Sequence, residues 1–311
     1  MSIQTPKTHQ IPITHIEKSK PKPRDQELGF GQVFTDHMFL MDGVADTGWS
    51  NPRIVPYGPL SLEPATVGLH YAQTVFEGLK AYRSPKDKIR IFRPDQNIAR
   101  FNRSAARLCV PPIDEELFLS ALKQLVALDQ EWVPRAPGTS LYVRPVAFAG
   151  DPDLRVRPSY TYQFFIILSP VGAYYAQGFN PLRIRVEDHY IRSVRGGTGA
   201  AKTAGNYAGS LLAGEDAHQE GFAQVLWLDG VEQKYIEEVG SMNIAFVIDD
   251  ELVTPPITGT ILQGVTRASM LQLAKDFGMK VAERPITITE VLTAARSGQL
   301  REAFGSGTAA V

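Results

Sequence analysis

Apolar residues recur at strand and helix spacings along most of the chain, starting near residue 30. Apolar runs in the first half predict strands over 30–40, 88–92, 140–148 and 160–168. A further apolar segment predicts a helix over 66–76. The clearest helical period opens at Asp95, with a stripe formed by Ile98, Phe101, Ala105 and Leu108. The first 28 residues are polar, Pro-rich and aperiodic, which indicates a tail.

The second half follows a Gly-, Tyr- and Pro-rich stretch that favours a linker. It predicts strands over 182–186, 222–228, 231–236, 243–248, 279–286 and 302–311. It also predicts helices ending near Ala217, running from about Thr266 to Phe277, and following a cap at Thr289. Strands and helices do not alternate regularly, so the pattern indicates an α+β fold. The expected organisation is a tail, a small N-terminal domain, an interdomain loop and a large C-terminal domain, at 1–28, 29–170, 171–183 and 184–311.

Composition excludes several classes of protein. The 311 residues carry 32 Lys and Arg against 33 Asp and Glu, a balance that argues against a nucleic-acid-binding surface. No apolar run approaches the ~18 residues of a membrane span, and there is no apolar signal core. The single cysteine, Cys109, and the absence of metal-ligand spacings predict a reducing, cytoplasmic compartment and no metal site. The basic stretch at 18–24 is expected to be a solvated arm, with a transit peptide or an anion-binding tail as alternatives.

One lysine stands in a segment of very small residues. Residues 196–209 read GGTGAAKTAGNYAG, and Lys202 is the only charged residue among them. If Lys202 is buried, its neutral amine is favoured and becomes a nucleophile suited to Schiff-base chemistry. An exposed lysine on a flexible loop is the alternative. A phosphate-binding P-loop is a further one, but Ala201 stands where that motif needs its second glycine.

Three further features add groups of complementary chemistry. A pair of acidic residues, Glu237 and Glu238, precedes Gly240 and Ser241. The helix that opens after Gly264 offers free N–H groups, which suit a phosphate but equally fit an ordinary cap. Arg100, like Arg103 and Arg107, lies on the helix from Asp95 and could bind a phosphate or face solvent. An amine, a carboxylate, an anion site and an arginine are what pyridoxal phosphate requires of a protein.

The motifs as a set resemble the branched-chain amino-acid aminotransferases, which are class IV, fold-type-IV enzymes that use pyridoxal phosphate. The resemblance runs from about Phe30 to Val311. It is carried by HYAQTVFEGLKAY at 70–82, FRPDQNIARFNRSAARL at 92–108, LYVRP at 141–145, GGTGAAKTAGNYA at 196–208, QVLWLDG at 224–230, EEVGSMN at 237–243, ILQGVTR at 261–267 and FGSGT at 304–308. It implies a two-domain fold with a smaller N-terminal α/β domain and a larger, barrel-like C-terminal domain.

The resemblance also implies a role for individual residues. Lys202 would be the Schiff-base lysine, Tyr207 would bind the phenolic oxygen of the cofactor, and Glu238 would pair with its ring nitrogen. Glu237 should point to the opposite face of the strand. The phosphate would be held by Arg100, Val265, Thr266 and Thr308. The substrate would be bound by Phe30, Tyr71, Phe76, Tyr142, Arg144, Tyr174, Ser241 and Ala309, with Arg144 near the distal carboxylate of glutamate.

The implied activity is a ping-pong transamination of L-leucine, L-isoleucine and L-valine with 2-oxoglutarate by a homodimer. Alternatives are a D-amino-acid aminotransferase, an aminodeoxychorismate-lyase-like enzyme, or a cofactor-binding protein with weak catalysis. Two departures from the family pattern are visible. Ala309 and Ala310 stand where some relatives carry a Cys-x-x-Cys redox pair, so no such switch is expected. The family also continues beyond the position of Val311, so a final segment of the large domain is expected to be missing.

Overall fold

The chain divides into two compact units, residues 1–176 (unit 1) and residues 177–311 (unit 2). The structure, a computed structural model, describes residues 9–172 and 180–309. The predicted interdomain loop, 171–183, spans this division, and most of it lies outside the described residues. The predicted domain boundaries therefore stay predictions.

Unit 1 is built on one antiparallel sheet with helices packed against it. Its strands are β1 (His37–Val44), β2 (Gly48–Pro56), β3 (Thr74–Phe76), β4 (Leu79–Arg83), β5 (Ile89–Ile91), β6 (Ser140–Ala149) and β7 (Thr161–Val171). Its helices are α1 (Val67–Tyr71), α2 (Pro94–Arg107) and α3 (Glu115–Leu128). The strand order is β2-β1-β7-β6-β4-β5, and β3 also pairs with β6.

The core of unit 1 lies between this sheet and helices α2 and α3. Ile98, Phe101 and Ala105 are fully buried in it, which confirms the stripe predicted for the helix from Asp95. The ring of Phe164 on β7 contacts the rings of Phe101 and of Phe118 on α3 edge-on. These contacts connect the helices to β7, which pairs with β6, the strand that carries Tyr142 and Arg144.

Residues 9–20, which belong to the predicted tail, contact the rest of unit 1 at several points, although most of their side chains are exposed. Ile11 is 4% exposed and belongs to the core, and Ile13 forms a parallel bridge with Ile54 of β2. The carboxylate of Asp36 accepts hydrogen bonds from the Ser19 hydroxyl and the Lys20 N–H. The segment has too few apolar residues, spread among prolines, to produce a periodic pattern.

The prediction of a single helix over 66–76 is wrong. Helix α1 ends after five residues because Ala72 takes a left-handed conformation, with φ of 52°. The chain then extends into β3, where Thr74 and Val75 pair with Phe148 and Ala147 of β6. Pairing with a neighbouring strand therefore decides the structure of this apolar run.

Unit 2 contains a second sheet and four helices. Its strands are β8 (Ile184–Glu187), β9 (Gln224–Leu228), β10 (Ile236–Val239), β11 (Met242–Ile248), β12 (Glu251–Thr254), β13 (Lys280–Glu283) and β14 (Leu300–Ser306). Its helices are α4 (Ala204–Ala208), α5 (Leu211–Gln219), α6 (Val265–Asp276) and α7 (Ile288–Ser297). The strand order is β13-β12-β11-β10-β9-β8, with β14 paired to β11. The two sheets and their helices confirm the α+β class.

Two predicted details of unit 2 are wrong. A strand was expected over 231–236, but Asp229 holds residues 231–235 in a loop by accepting four backbone N–H bonds, among them those of Glu232 and Tyr235. Strand β10 therefore begins at Ile236, and it includes Glu238. Helix α7 is capped by Thr287, whose hydroxyl accepts from the Glu290 N–H, and not by Thr289.

Among the described residues, none of the helices is both long and apolar enough to cross a membrane.

Candidate active site

Lys202 and Tyr207 meet at the start of helix α4. Lys202 lies directly before Thr203, the extended residue that precedes the helix, and Tyr207 is near its end. The Lys202 Nζ donates a hydrogen bond of 2.6 Å to the Tyr207 hydroxyl. The lysine is half-buried, so it is not the exposed lysine of the alternative interpretation. The loop therefore presents an amine with a phenol in direct contact.

Side-chain and backbone contacts hold this loop in place. The Asn206 amide donates to the carbonyls of Thr198 and Ala201, and its oxygen accepts from the Thr198 hydroxyl. A Cβ on Gly199 would lie 2.0 Å from the Ser193 Oγ and 2.2 Å from the Thr260 carbonyl oxygen. Close packing therefore leaves room only for glycine at position 199.

Glu238 lies in β10 with its carboxylate buried and hydrogen-bonded at both oxygens. The Oε2 atom lies 2.7 Å from the Arg192 guanidinium. The Oε1 atom accepts from the Asn243 amide at 2.9 Å and from the Leu262 N–H at 3.3 Å. Burial raises the pKa of Glu238 to about 7, against the lowering effect of Arg192, the Leu262 N–H and Lys202. A carboxylate in this position would be favoured in its charged form by a further cation.

A β-bulge separates the two neighbouring glutamates. On β9, Leu228 pairs with Ile236 and the next residue, Trp227, pairs with Glu238, so Glu237 is the extra residue. Glu238 lines a small cavity together with Tyr207 and Ser241. Glu237 lines a different cavity. The two carboxylates therefore open to different surroundings.

The N-terminus of α6 lies beside the residue that binds Glu238. Gly264 precedes the helix, and no side chain in the described part of the protein caps the N–H groups of its first turn, which begins with Val265 and Thr266. A Cβ on Gly264 would lie 2.0 Å from the Asn243 Oδ1, so only glycine fits there. Thr308 follows β14, which places Ser306 opposite Asn243 on β11. Ala309 comes directly after Thr308.

In unit 1, four of the predicted substrate residues contact one another. The Arg144 guanidinium lies 4.8 Å from the centre of the Phe76 ring and donates to the Tyr142 hydroxyl at 2.9 Å. The Phe30 ring lies 5.0 Å from that of Tyr142. The Arg144 Nε is buried and has no hydrogen-bond partner in the described part of the chain. An aromatic wall therefore surrounds an arginine that has an unused N–H.

Arg100 is buried in a bidentate ion pair with Glu77. Glu77 directly follows strand β3 and directly precedes Gly78. Its Nε lies 2.7 Å from Oε1 of Glu77, and its NH2 lies 2.9 Å from Oε2. The Asn97 amide and the Gly78 N–H also donate to the Glu77 carboxylate. The guanidinium predicted to bind a phosphate is thus held in a fixed orientation.

Two predicted substrate residues are not part of these groups. The Tyr71 hydroxyl donates to the Leu154 carbonyl at 2.6 Å, and its ring contacts His70. Tyr174 lies outside the described residues. Conversely, Glu77, Arg192 and Asn243 were not predicted as site residues. Glu77 and Asn243 belong to the motifs at 70–82 and 237–243, whereas nothing in the sequence near Arg192 signals its pairing with Glu238.

The family model described as amino-transferase class IV matches residues 74–310. The chain is 57% identical over 307 residues to "Branched-chain-amino-acid aminotransferase 2" of Bacillus subtilis, covering 99% of this chain and 84% of that protein. It is 48% identical over 288 residues to the branched-chain-amino-acid aminotransferase of Mycolicibacterium smegmatis, covering 91% of this chain and 78% of that protein.

Solved structures give the same result. The branched-chain amino acid aminotransferase of Escherichia coli matches with a TM-score of 0.75 and 28% identity, covering 88% of this chain and 84% of that one. The T.th. branched-chain amino acid aminotransferase solved with pyridoxamine 5′-phosphate matches with a TM-score of 0.73 and 28% identity. The match covers 88% of this chain and 83% of that one. The chain therefore belongs to the class IV aminotransferase family, in its fold-type-IV form. Within that family it belongs with the branched-chain-amino-acid aminotransferases, which removes the P-loop alternative for residues 196–203.

Proposed function

We propose that the protein transfers the amino group of L-leucine, L-isoleucine and L-valine to 2-oxoglutarate by a ping-pong mechanism, with pyridoxal phosphate as cofactor. The observation that carries this proposal is the 2.6 Å contact between the Lys202 Nζ and the Tyr207 hydroxyl, in a unit that also buries Glu238. The names of the relatives and the cofactor form present in one of the solved structures support the substrate class and the cofactor.

The residues of unit 2 fit the cofactor. The Lys202 amine can hold its aldehyde, and the buried Glu238 carboxylate suits a protonated ring nitrogen because a cation would favour its charged form. The uncapped N–H groups at Val265 and Thr266 suit a phosphate. Thr308, together with Arg100 of unit 1, is proposed to bind the phosphate as well. When bound, pyridoxal phosphate supplies an electron sink for the electrons left at Cα.

Lys202 is proposed to move the proton. With pyridoxal phosphate and substrate bound, the free Nζ would take the proton from the substrate Cα and would deliver it to the cofactor carbon that receives the amino group. The Tyr207 hydroxyl, at 2.6 Å from the Nζ, orients the amine for this transfer. Glu238 holds the proton on the ring nitrogen, and Arg192 and Asn243 hold Glu238. The second half-reaction uses the same residues in reverse.

The residues of unit 1 are proposed to select the substrate. The rings of Phe30, Phe76 and Tyr142 suit an aliphatic side chain. The buried Arg144 Nε, which has no partner in the described part of the chain, suits the distal carboxylate of glutamate. Tyr71, Tyr174, Ser241 and Ala309 remain proposed substrate contacts.

We also propose a cytoplasmic homodimer, as the family resemblance implies. The single cysteine suits a reducing compartment. Size-exclusion chromatography with light scattering measures the oligomeric state directly.

A visible spectrum and a labelling experiment test the proposal. The purified protein should be yellow, L-leucine should change its spectrum, and borohydride should attach the cofactor to Lys202, as shown by peptide mass mapping. With 2-oxoglutarate as acceptor, L-leucine should be a much better donor than D-alanine. A colourless protein or a label on another lysine would refute the role of Lys202. A preference for D-alanine would identify a D-amino-acid aminotransferase instead.

A further inference from the structure

A second cavity lies in unit 2, on the side of β10 that Glu238 does not face. It has a volume of about 440 Å³, within the usual range for small-molecule sites. Its lining includes Glu237, Arg195 and three prolines, Pro255, Pro256 and Pro285. None of these residues has a role in the proposed transamination. The cavity is therefore a separate feature of the unit.

Glu237 brings an unsatisfied carboxyl oxygen into this cavity. The residue is 7% exposed, and its Oε2 has no hydrogen-bond partner among the described residues. A buried acceptor without a partner costs about 1–3 kcal/mol, so such atoms are rare and call for an explanation. Burial raises the pKa of Glu237, and the Thr260 hydroxyl and the charge of Arg192 oppose this rise only in part.

Several residues that line the cavity cannot donate a hydrogen bond to the Oε2 of Glu237. Pro255, Pro256 and Pro285 have no N–H group to offer. The nearby Asp229 carboxylate only accepts hydrogen bonds. Burial acts to raise its pKa, but hydrogen bonds from four backbone N–H groups outweigh this effect and lower the pKa to about 2. A donor for Glu237 must therefore come from outside these groups.

The bulge in β10 is what directs Glu237 into the cavity. In a regular strand, Ile236 and Glu237 would point to opposite faces. Because Glu237 is the extra residue at the bulge, both side chains line the same cavity. The result is a carboxylate beside apolar surface. Arg195, which is exposed and forms no ion pair within the described part of the chain, supplies a positive charge to the same lining.

We propose that this cavity binds an apolar α-amino acid as a zwitterion, at a site distinct from the one that performs transamination. The ammonium group donates to the Glu237 Oε2, and the carboxylate pairs with Arg195. The aliphatic side chain packs against the prolines and Ile236. Charge-assisted hydrogen bonds at both ends account for a carboxylate and an arginine that line the same cavity as the prolines and Ile236.

The probe for this site is N,N-dimethyl-L-leucine, added to the holoenzyme and followed by isothermal titration calorimetry. Its tertiary ammonium keeps one N–H but cannot condense with an aldehyde, so it cannot act as a substrate. We expect saturable binding without a change in the visible spectrum. Glu237→Gln removes the charge at constant shape and should weaken binding about tenfold or more. The readout is binding, so it does not depend on whether the protein transaminates branched-chain amino acids.

Arg195→Gln supplies a second variant, which replaces an exposed residue and should not disturb folding. It should weaken binding of N,N-dimethyl-L-leucine but not of N,N-dimethyl-3-methylbutylamine, which lacks the carboxylate. Arg144→Gln, in unit 1, is the matched control and should leave the affinity for both probes unchanged. Absence of binding at about 10 mM probe, equal affinity in wild type and Glu237→Gln, or a loss of binding in Arg144→Gln would each overturn the proposal.

Discussion

Each unit buries an arginine–carboxylate pair, and the two pairs differ in which partner is the candidate functional group. In unit 1 the Glu77 carboxylate, joined by Asn97 and the Gly78 N–H, holds the Arg100 guanidinium. In unit 2 the Arg192 guanidinium, joined by Asn243 and the Leu262 N–H, holds the Glu238 carboxylate. One pair orients a cation that is proposed to bind a phosphate. The other orients an anion that is proposed to bind a protonated ring nitrogen.

The two pairs should respond differently to the loss of a partner. A guanidinium stays charged at every accessible pH, whereas a buried carboxyl can take up a proton. Removing Glu77 therefore leaves a buried cation that cannot neutralise itself. Removing Arg192 leaves a carboxyl whose pKa is already raised to about 7 by burial and which can become neutral. The comparison thus predicts an asymmetry in stability.

Glu77→Ala and Arg192→Leu test this asymmetry and should give the largest effects. At pH 6 we expect Glu77→Ala to lower the free energy of unfolding by about 3–5 kcal/mol. Arg192→Leu should lower it by about 2 kcal/mol, because only hydrogen bonds and packing are lost. Urea denaturation of the cofactor-free variants measures both. Glu77→Gln, which keeps the shape and one acceptor, should cost less than Glu77→Ala. Equal losses for Glu77→Ala and Arg192→Leu would show that the two pairs are equivalent.

The dependence of the unfolding free energy on pH tests the pair in unit 2 separately, through the carboxyl group of Glu238. Burial raises its pKa from 4.5 to about 7 in the folded chain, so the folded state binds this proton more tightly than the unfolded state. The resulting stabilisation is complete below pH ~4.5 and is lost as the pH rises through about 7, up to about 3 kcal/mol in all. Glu238→Gln should remove this dependence. Unfolding free energies of the cofactor-free wild type and variant, compared between pH 5 and 8, measure the difference. If the unfolding free energies of wild type and Glu238→Gln change with pH in parallel, Glu238 is already ionised when the protein lacks its cofactor.

Local pattern predicted those parts of the molecule that depend on neighbours in sequence. The period of Ile98, Phe101 and Ala105 predicted a buried helix face, because a helix repeats its contacts every few residues. The segment around Lys202 stood out because side chains larger than Ala or Gly are rare in it. The start of β10 was not predictable, because Asp229 holds the preceding loop through its own side chain. Because that loop delays the strand until Ile236, Glu238 lies within β10 and not beyond the end of the predicted strand.

Contacts between distant residues were beyond sequence patterns. Arg192 and Glu238 are far apart in the chain, and each has an ordinary local environment. The packing of Ile11 and Ile13 onto unit 1 depends on a surface made by β2, which no feature of the N-terminal segment indicates. Asn243 and Gly264 depend on each other through a single close approach, which only coordinates can show.

The next largest effect is the expected difference in kcat between variants of the neighbouring residues Glu237 and Glu238. Glu238→Gln should lower kcat about a hundredfold or more, because it removes the charge that holds a proton on the ring nitrogen. Glu237→Gln should lower it less than about tenfold, because Glu237 lines a different cavity. Steady-state kinetics with L-leucine and 2-oxoglutarate, at saturating cofactor, compare them. Equal losses would mean that the bulge does not separate their roles.

The smallest expected effect concerns Asn243, a positioning residue for Glu238. Asn243→Ala removes the amide that donates to Oε1 at 2.9 Å, so kcat should fall about tenfold, in line with one lost hydrogen bond to a charged group. The pKa of Glu238 should rise further, which moves the acidic limb of the pH–rate profile to higher pH. Gly264→Ala offers an independent test, because its Cβ would displace the same amide oxygen without removing the amide. If both variants move the acidic limb in the same direction, Asn243 acts through the carboxylate. A lower kcat with an unchanged pH profile would instead mean that the amide only supports the turn into α6.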